Sequence, residues 1–175
     1  MFIKFPKSKD RKINLTKYFS GMSFAINKAC LKGTPHLTND VENPSDEILK
    51  EMDGKLDLFE ETATHEITIL ERVLIKVLDD KVARVFVSQD NIYLFRESVI
   101  NAVLKNMSGL TFWHSNKEDK PLIIKAGENV VAIIMPIKVP YTLKDKIEAE
   151  CKALVYALTD QNDKWELATA QETKG

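Results

Sequence analysis

The residues of this chain that could do chemistry are three histidines, two cysteines and a surplus of carboxylates. His36, His65 and His114 are far apart, and none has a second ligand at i, i+4, the helical spacing that brings two side chains to one metal ion. Each reads as a loop or strand-face residue. Asp79-Asp80 sets two carboxylates side by side, but at a place where a tight turn favours Asp for its own hydrogen bonding. The acidic stretches do not pair two carboxylates with a lysine in the spacing a metal-dependent nuclease uses. No GxxxxGK[ST], GxGxxG or GxSxG string occurs, so phosphate cradles, dinucleotide turns and nucleophile elbows have no sequence signature here. Cys30 and Cys151 both fall on apolar stripes, with no CxxC and no zinc spacing. Buried free thiols in a reducing compartment are favoured over a disulfide. Together these residues predict a chain that is not an enzyme and carries no metal or cofactor.

What is left is binding, and the elements that would position a binding surface are legible along the chain. The segment 1–5 is a short apolar edge strand ended by Pro6. From Asn14 the spacing of Leu15, Phe19, Met22, Ile26 and Cys30 predicts a helix, with Gly33 past its end. Residues 38–44 are loop, Ser45 caps a short helix DEILKEM, and Asp53-Gly54 signals a turn into a strand at 55–60. A long β segment covers 66–78, with a change of register at Leu70 to Arg72 that suggests a bulge. The turn Asp79-Asp80-Lys81 leads into 82–87 as a hairpin.

From Val85 onward the pattern is strand, helix, then three strands. Ser88 or Asp90 caps the helix, Ile92, Phe95, Val99 and Val103 form its stripe, and Gly109 supplies a left-handed turn after it. Strands follow at 110–115, 121–125 and 130–136, the last holding the continuous apolar run VVAIIM of a strand covered on both faces. Pro136 and Pro140 stop it. The order is similar to the closing half of the last domain of bacterial DNA polymerase sliding clamps. There a strand leads into a helix of the form IYLFRESVINAVL, then come a strand like LTFWHS, a proline-led strand like KPLII, and a Met-Pro-hydrophobic-basic-hydrophobic end. Here that end reads Met135, Pro136, Ile137, Lys138, Val139.

The resemblance implies an α+β, clamp-like domain of two strand–helix–three-strand halves over residues 1–139, with helices on one face of the sheets. Residues 140–175 are added to it: an amphipathic helix with Leu143, Ile147, Cys151, Leu154 and Leu158 on its stripe and Thr142 and Asp145 at its start, then a polar tail. It implies two sites. One is a pocket for short linear peptides of replication or repair proteins, made of Tyr93 (Phe95 if the register shifts by two), Pro121, Met135, Pro136, Ile137 and Lys138. The other is a helix-borne basic surface that meets the phosphates of duplex DNA without reading bases, made of Lys17, Lys28, Lys32, Arg96 and Lys105. A single domain would have to form a homo-oligomer to make a ring. The rival reading is a homo-oligomeric interaction or regulatory module, unrelated to clamps, assembled through the terminal helix.

Composition fits these classes. The 175 residues suffice for one domain with a full core, 44% are hydrophobic, and the net charge is −1. Bulk charge therefore selects no partner, although Lys7, Lys9, Arg11, Lys12 and Lys17 crowd the start while 42–66 is acidic. The start MFIKFPKSKDRK lacks an apolar signal segment and no run reaches membrane-spanning length, which predicts a cytoplasmic protein.

Overall fold

In the computed structural model, residues 2–6, 11–31, 41–77, 81–88 and 91–160 are described. Among them the fold is α+β: three α-helices and one ten-stranded mixed sheet. The strands are β1 (Lys12–Asn14), β2 (Tyr18–Ser20), β3 (Phe24–Asn27), β4 (Val41–Glu42), β5 (His65–Lys76), β6 (Val82–Ser88), β7 (Asn91–Arg96), β8 (Leu110–His114), β9 (Leu122–Ala126) and β10 (Asn129–Ile134). The helices are α1 (Asp46–Thr62), α2 (Glu97–Leu104) and α3 (Tyr141–Asp160). The spatial order is β4-β1-β2-β3-β10-β9-β8-β5-β6-β7, antiparallel except for β1 beside β4.

The sheet curls until its far end meets the chain beyond β10. Phe95 of β7 bridges Pro136, and the Ile137 N–H donates to the Leu94 carbonyl at 3.0 Å. A twisted sheet of this width closes on itself readily. The turn that folds β9 onto β10 is a two-residue loop, with Ala126 opposite Asn129 and Gly127 at φ 60. Gly at the first central position is what a hairpin turn of this kind requires.

Alternation along the strands sorts side chains into layers. Phe86, Phe95, Phe112, Leu122 and Ile124 point inward and pack with Val99, Ile100 and Val103 of α2. Phe86 meets Phe95 and Phe112 edge-on at 5.5 and 5.2 Å, a favoured aromatic geometry. On the outer face, Leu15, Tyr18, Ala25, Ile123 and Ile133 take Leu49, Met52, Leu56 and Phe59 of α1. Elsewhere on that face, Val73, Val85, Leu94 and Ile137 take Ile147 and Cys151 of α3. Helices α1 and α2 thus lie on opposite faces of the sheet, unlike the one-sided arrangement the clamp resemblance implies.

The edge strand expected at 1–5 is only an isolated bridge from Ile3 to Leu31, β4 lies within the expected loop 38–44, and three longer predicted elements also differ. The stretch 14–30 is not a helix but the end of β1, then β2, β3 and a 3-10 turn at Lys28–Cys30. Tyr18, Phe24 and Ala25, which lie off the supposed stripe, are as buried as Phe19 and Ile26 on it. Strands covered on both faces lose their period-2 signal, and apolar spacing then mimics a helix. Met22, put on that stripe, is 71% exposed on the turn between β2 and β3.

The second difference is at Asp53-Gly54, where α1 continues through to Thr62 and replaces the strand at 55–60. Ser45 caps it, and Asp46 and Glu47 sit in the first turn, where the helix dipole favours them. Asp53 accepts from the Thr16 hydroxyl at 2.6 Å, and nothing lies within 4 Å of a Cβ built at Gly54. The glycine costs only its propensity, about 1 kcal/mol.

Third, β7 occupies residues expected to begin α2, whose first helical residue is Glu97. Ile92 and Phe95 share a helical spacing, but Tyr93 and Phe95 also alternate with Ile92 and Leu94 as a strand with two apolar faces. Gly109 does take a left-handed φ of 67, just before β8. The bulge in β5 lies between Ile69 and Leu74, and Arg84 fills it by donating to the Glu71 carbonyl while pairing with Glu97 at the start of α2. Gly33 and Asp79-Asp80 lie outside the described residues.

Candidate functional site

Where the sheet closes, an open groove of about 1140 Å³ remains. Its floor is β7 with the segment 135–139, one wall is the start of α3, and the opposite end is the loop after β8. Tyr93, Met135, Pro136, Ile137 and Lys138, five of the six residues assigned to a peptide pocket, line it. Pro121 does not: it is buried at the entry to β9. Phe95, the alternative to Tyr93, is fully buried against Phe86. A smaller cavity of about 190 Å³ lies between α1 and the β2–β3 turn, and Met22 and Met135 border both.

The loop wall is held by His114, whose side chain is fully buried at the end of β8. The Asn116 N–H donates to His114 Nδ1 at 2.9 Å, which leaves Nε2 to carry the proton and donate to the Lys120 carbonyl at 3.0 Å. Both ring nitrogens are thereby satisfied in a neutral tautomer. Burial pushes the imidazole pKa below its ordinary value, more than the Lys120 carbonyl raises it. The ring packs on Tyr93 with centroids 4.1 Å apart. Asn116 takes a φ of 59, which Asn tolerates better than most residues, and its side-chain oxygen accepts from the Tyr93 hydroxyl at 3.4 Å. Burial and the Glu118 charge raise the Tyr93 pKa, so its hydroxyl stays a donor.

The helix wall is fixed by Ile147 and Cys151 packing on the sheet and by an ion pair from Lys144 to Glu118 that joins the two walls. Burial, with Glu150 and Glu148 nearby, pushes the Cys151 thiol up to about 11. Neither cysteine is in a disulfide. Sequence reasoning placed Ile147 and Cys151 on a buried stripe but not in this site. Asn116, Glu118 and Lys144 carried no signal, because they reach the groove only through sheet closure.

Of the five cations assigned to DNA, four are described, on separate elements. Lys17 precedes β2 and pairs with Glu60 at 3.2 Å. Lys28, in the 3-10 turn, sits over the Phe19 ring, and burial lowers its pKa. Arg96 and Lys105 flank opposite ends of α2, and Arg96 opens into the groove. Lys32 lies outside the described residues.

Among the described residues, no group of three His, Cys, Asp or Glu could hold a metal, and no helix is long and apolar enough to cross a membrane. Comparisons with protein-family models, with curated proteins and with solved structures found no match.

Proposed function

We propose that this chain is a non-enzymatic protein-interaction domain that holds a short linear peptide in the groove beside β7, as a sliding-clamp domain does. The observation that carries the reading is the convergence of Tyr93 with Met135, Pro136, Ile137 and Lys138 on one open groove. Apolar walls with a few polar groups are what a peptide anchor needs. The element order also supports kinship with clamps, since α1 and α2 are each followed by three antiparallel strands. The opposite placement of the two helices argues for a remodelled relative rather than a ring-forming clamp domain. Duplex DNA is left out of the proposal because Lys17 is paired with Glu60 and Lys28 is drawn over the Phe19 ring.

The test offers the full chain a clamp-binding peptide and a random peptide library. The expected result is a bound peptide that shifts the amide resonances of β7 and of 135–139, and that Met135→Ala with Ile137→Ala weakens at least tenfold at an unchanged circular dichroism spectrum. Loss of the folded spectrum would make those residues core. Leu154, 46% exposed on α3, favours the second reading of self-assembly. A solution mass above that of one chain that Leu154→Glu returns to one chain would support it.

A further inference from the structure

The floor of the groove is an unfinished sheet edge. In a strand, a residue's N–H and C=O point to the same side, and successive residues point to opposite sides. The Leu94 carbonyl faces away from β6 to take Ile137, so the backbone groups of Leu94 and Ile92 both face the groove. Among the described residues, the Phe95–Pro136 bridge and the bond from Ile137 to Leu94 join β7 to 135–139, and both lie at the C-terminal end of β7. Among the described residues, the Leu94 N–H and both backbone groups of Ile92 have no partner. An open edge of this kind is a template for a further strand.

The side chains around that edge have a sign. Lys81, Arg96 and Lys138 line the groove with no ion-pair partner among the described residues. Of the acidic residues there, Glu118 is engaged by Lys144 and Glu148 by Lys152, which leaves Asp119 against the three unpaired cations. A strand entering along β7 would therefore place its alternate side chains against Ile147 and Tyr93 or near free cations.

Resting on the peptide-groove reading, we propose that the occupant is an extended acidic segment of a partner protein, which adds to β7 as a new strand under the cover of α3. Strand addition takes its affinity from main-chain hydrogen bonds and its specificity from pockets for alternate side chains. The Lys81, Arg96 and Lys138 charges select carboxylates and speed encounter.

The experiment uses the full chain and two capped heptapeptides that alternate valine with glutamate or valine with lysine. It adds the glutamate peptide N-methylated at every second residue in each of two registers. The glutamate peptide is expected to slow hydrogen exchange of the Ile92 and Leu94 amides and to bind at least tenfold more tightly than the lysine peptide at low salt. One N-methylated register abolishes binding and the other keeps it. Arg96→Glu with Lys138→Glu, at an unchanged thermal melt, reverses the preference to the lysine peptide. Equal binding of both peptides overturns the acidic partner. Unchanged exchange at Ile92 and Leu94, or tolerance of both N-methyl registers, overturns strand addition, while library peptides that still seat in the groove leave the underlying reading intact. If no peptide of any sequence perturbs the groove, that reading fails and this one with it.

Discussion

Replacing His114 with phenylalanine tests how the loop wall of the groove is held. The change keeps an aromatic ring against Tyr93 but removes both ring nitrogens. The Asn116 N–H then loses its acceptor and the Lys120 carbonyl its donor, at original distances of 2.9 and 3.0 Å. Leaving a buried polar group unsatisfied costs about 1–3 kcal/mol. Asn116 and Lys120 are only half-buried, so the low end applies, and the pair comes to about 2 kcal/mol. For a chain of this size that lowers the melting temperature by roughly 4–8 °C. The pH dependence gives a second, independent readout. Burial lowers the folded-state pKa of His114 beneath its unfolded value near 6.5. The unfolded state therefore binds more protons in that window, and the stability is fully present above about 6.5 and is lost as pH falls toward the folded pKa. The parent should thus lose more stability between pH 7 and pH 5 than His114→Phe, the difference profile cancelling other histidines. Melting curves at several pH values suffice. A variant that melts within about 1 °C of the parent, with a flat difference profile, would refute the account of His114 as the loop's anchor.

Arg84→Met leaves Glu97 half-buried without its guanidinium and opens the β5 bulge; about 2–3 kcal/mol of stability should go, and denaturant unfolding measures it. Gly54→Ala, in an open position of α1, should raise stability by about 1 kcal/mol, while Gly127→Ala at φ 60 should lower it by a similar amount. Equal effects of the two alanines would contradict the assignments of helix and turn. Cys151, 1% exposed with its thiol pushed up to about 11, should react with a maleimide only when α3 lifts from the sheet. Labelling as fast as in the denatured chain would mean that α3 is not seated there.

How much of this was legible depended on whether one physical pattern or two could explain the same residues. The β5 bulge, the β5–β6 pairing, the strands after α2 and the buried run VVAIIM were readable, because β-branched residues in long runs have no competing helical reading. Residues 14–30 and 91–96 were not readable. In both, apolar side chains face two layers, so helical and strand spacings coexist, and only the second layer decides. For β7 that layer is α3, whose Ile147 and Cys151 cover the outer face while Phe86 and Phe95 fill the inner one. Asp53-Gly54 misled for another reason. Its turn chemistry is spent on a contact from Thr16, 37 residues away, which no local window contains.

The pentapeptide from Met135 to Val139 was legible because prolines bound it after a long apolar strand. Met135 to Val139 follows β10, near the middle of the sheet, and meets β7 where the sheet closes. Pro136 sits opposite Phe95 with its nitrogen on the side away from β7, since the Ile137 N–H faces that strand, and Pro140 holds the residue before it out of a helical conformation before the chain turns into α3. The Phe95–Pro136 bridge and the bond from Ile137 to Leu94 shut the sheet, while the Leu94 N–H and the backbone groups of Ile92 have no partner among the described residues.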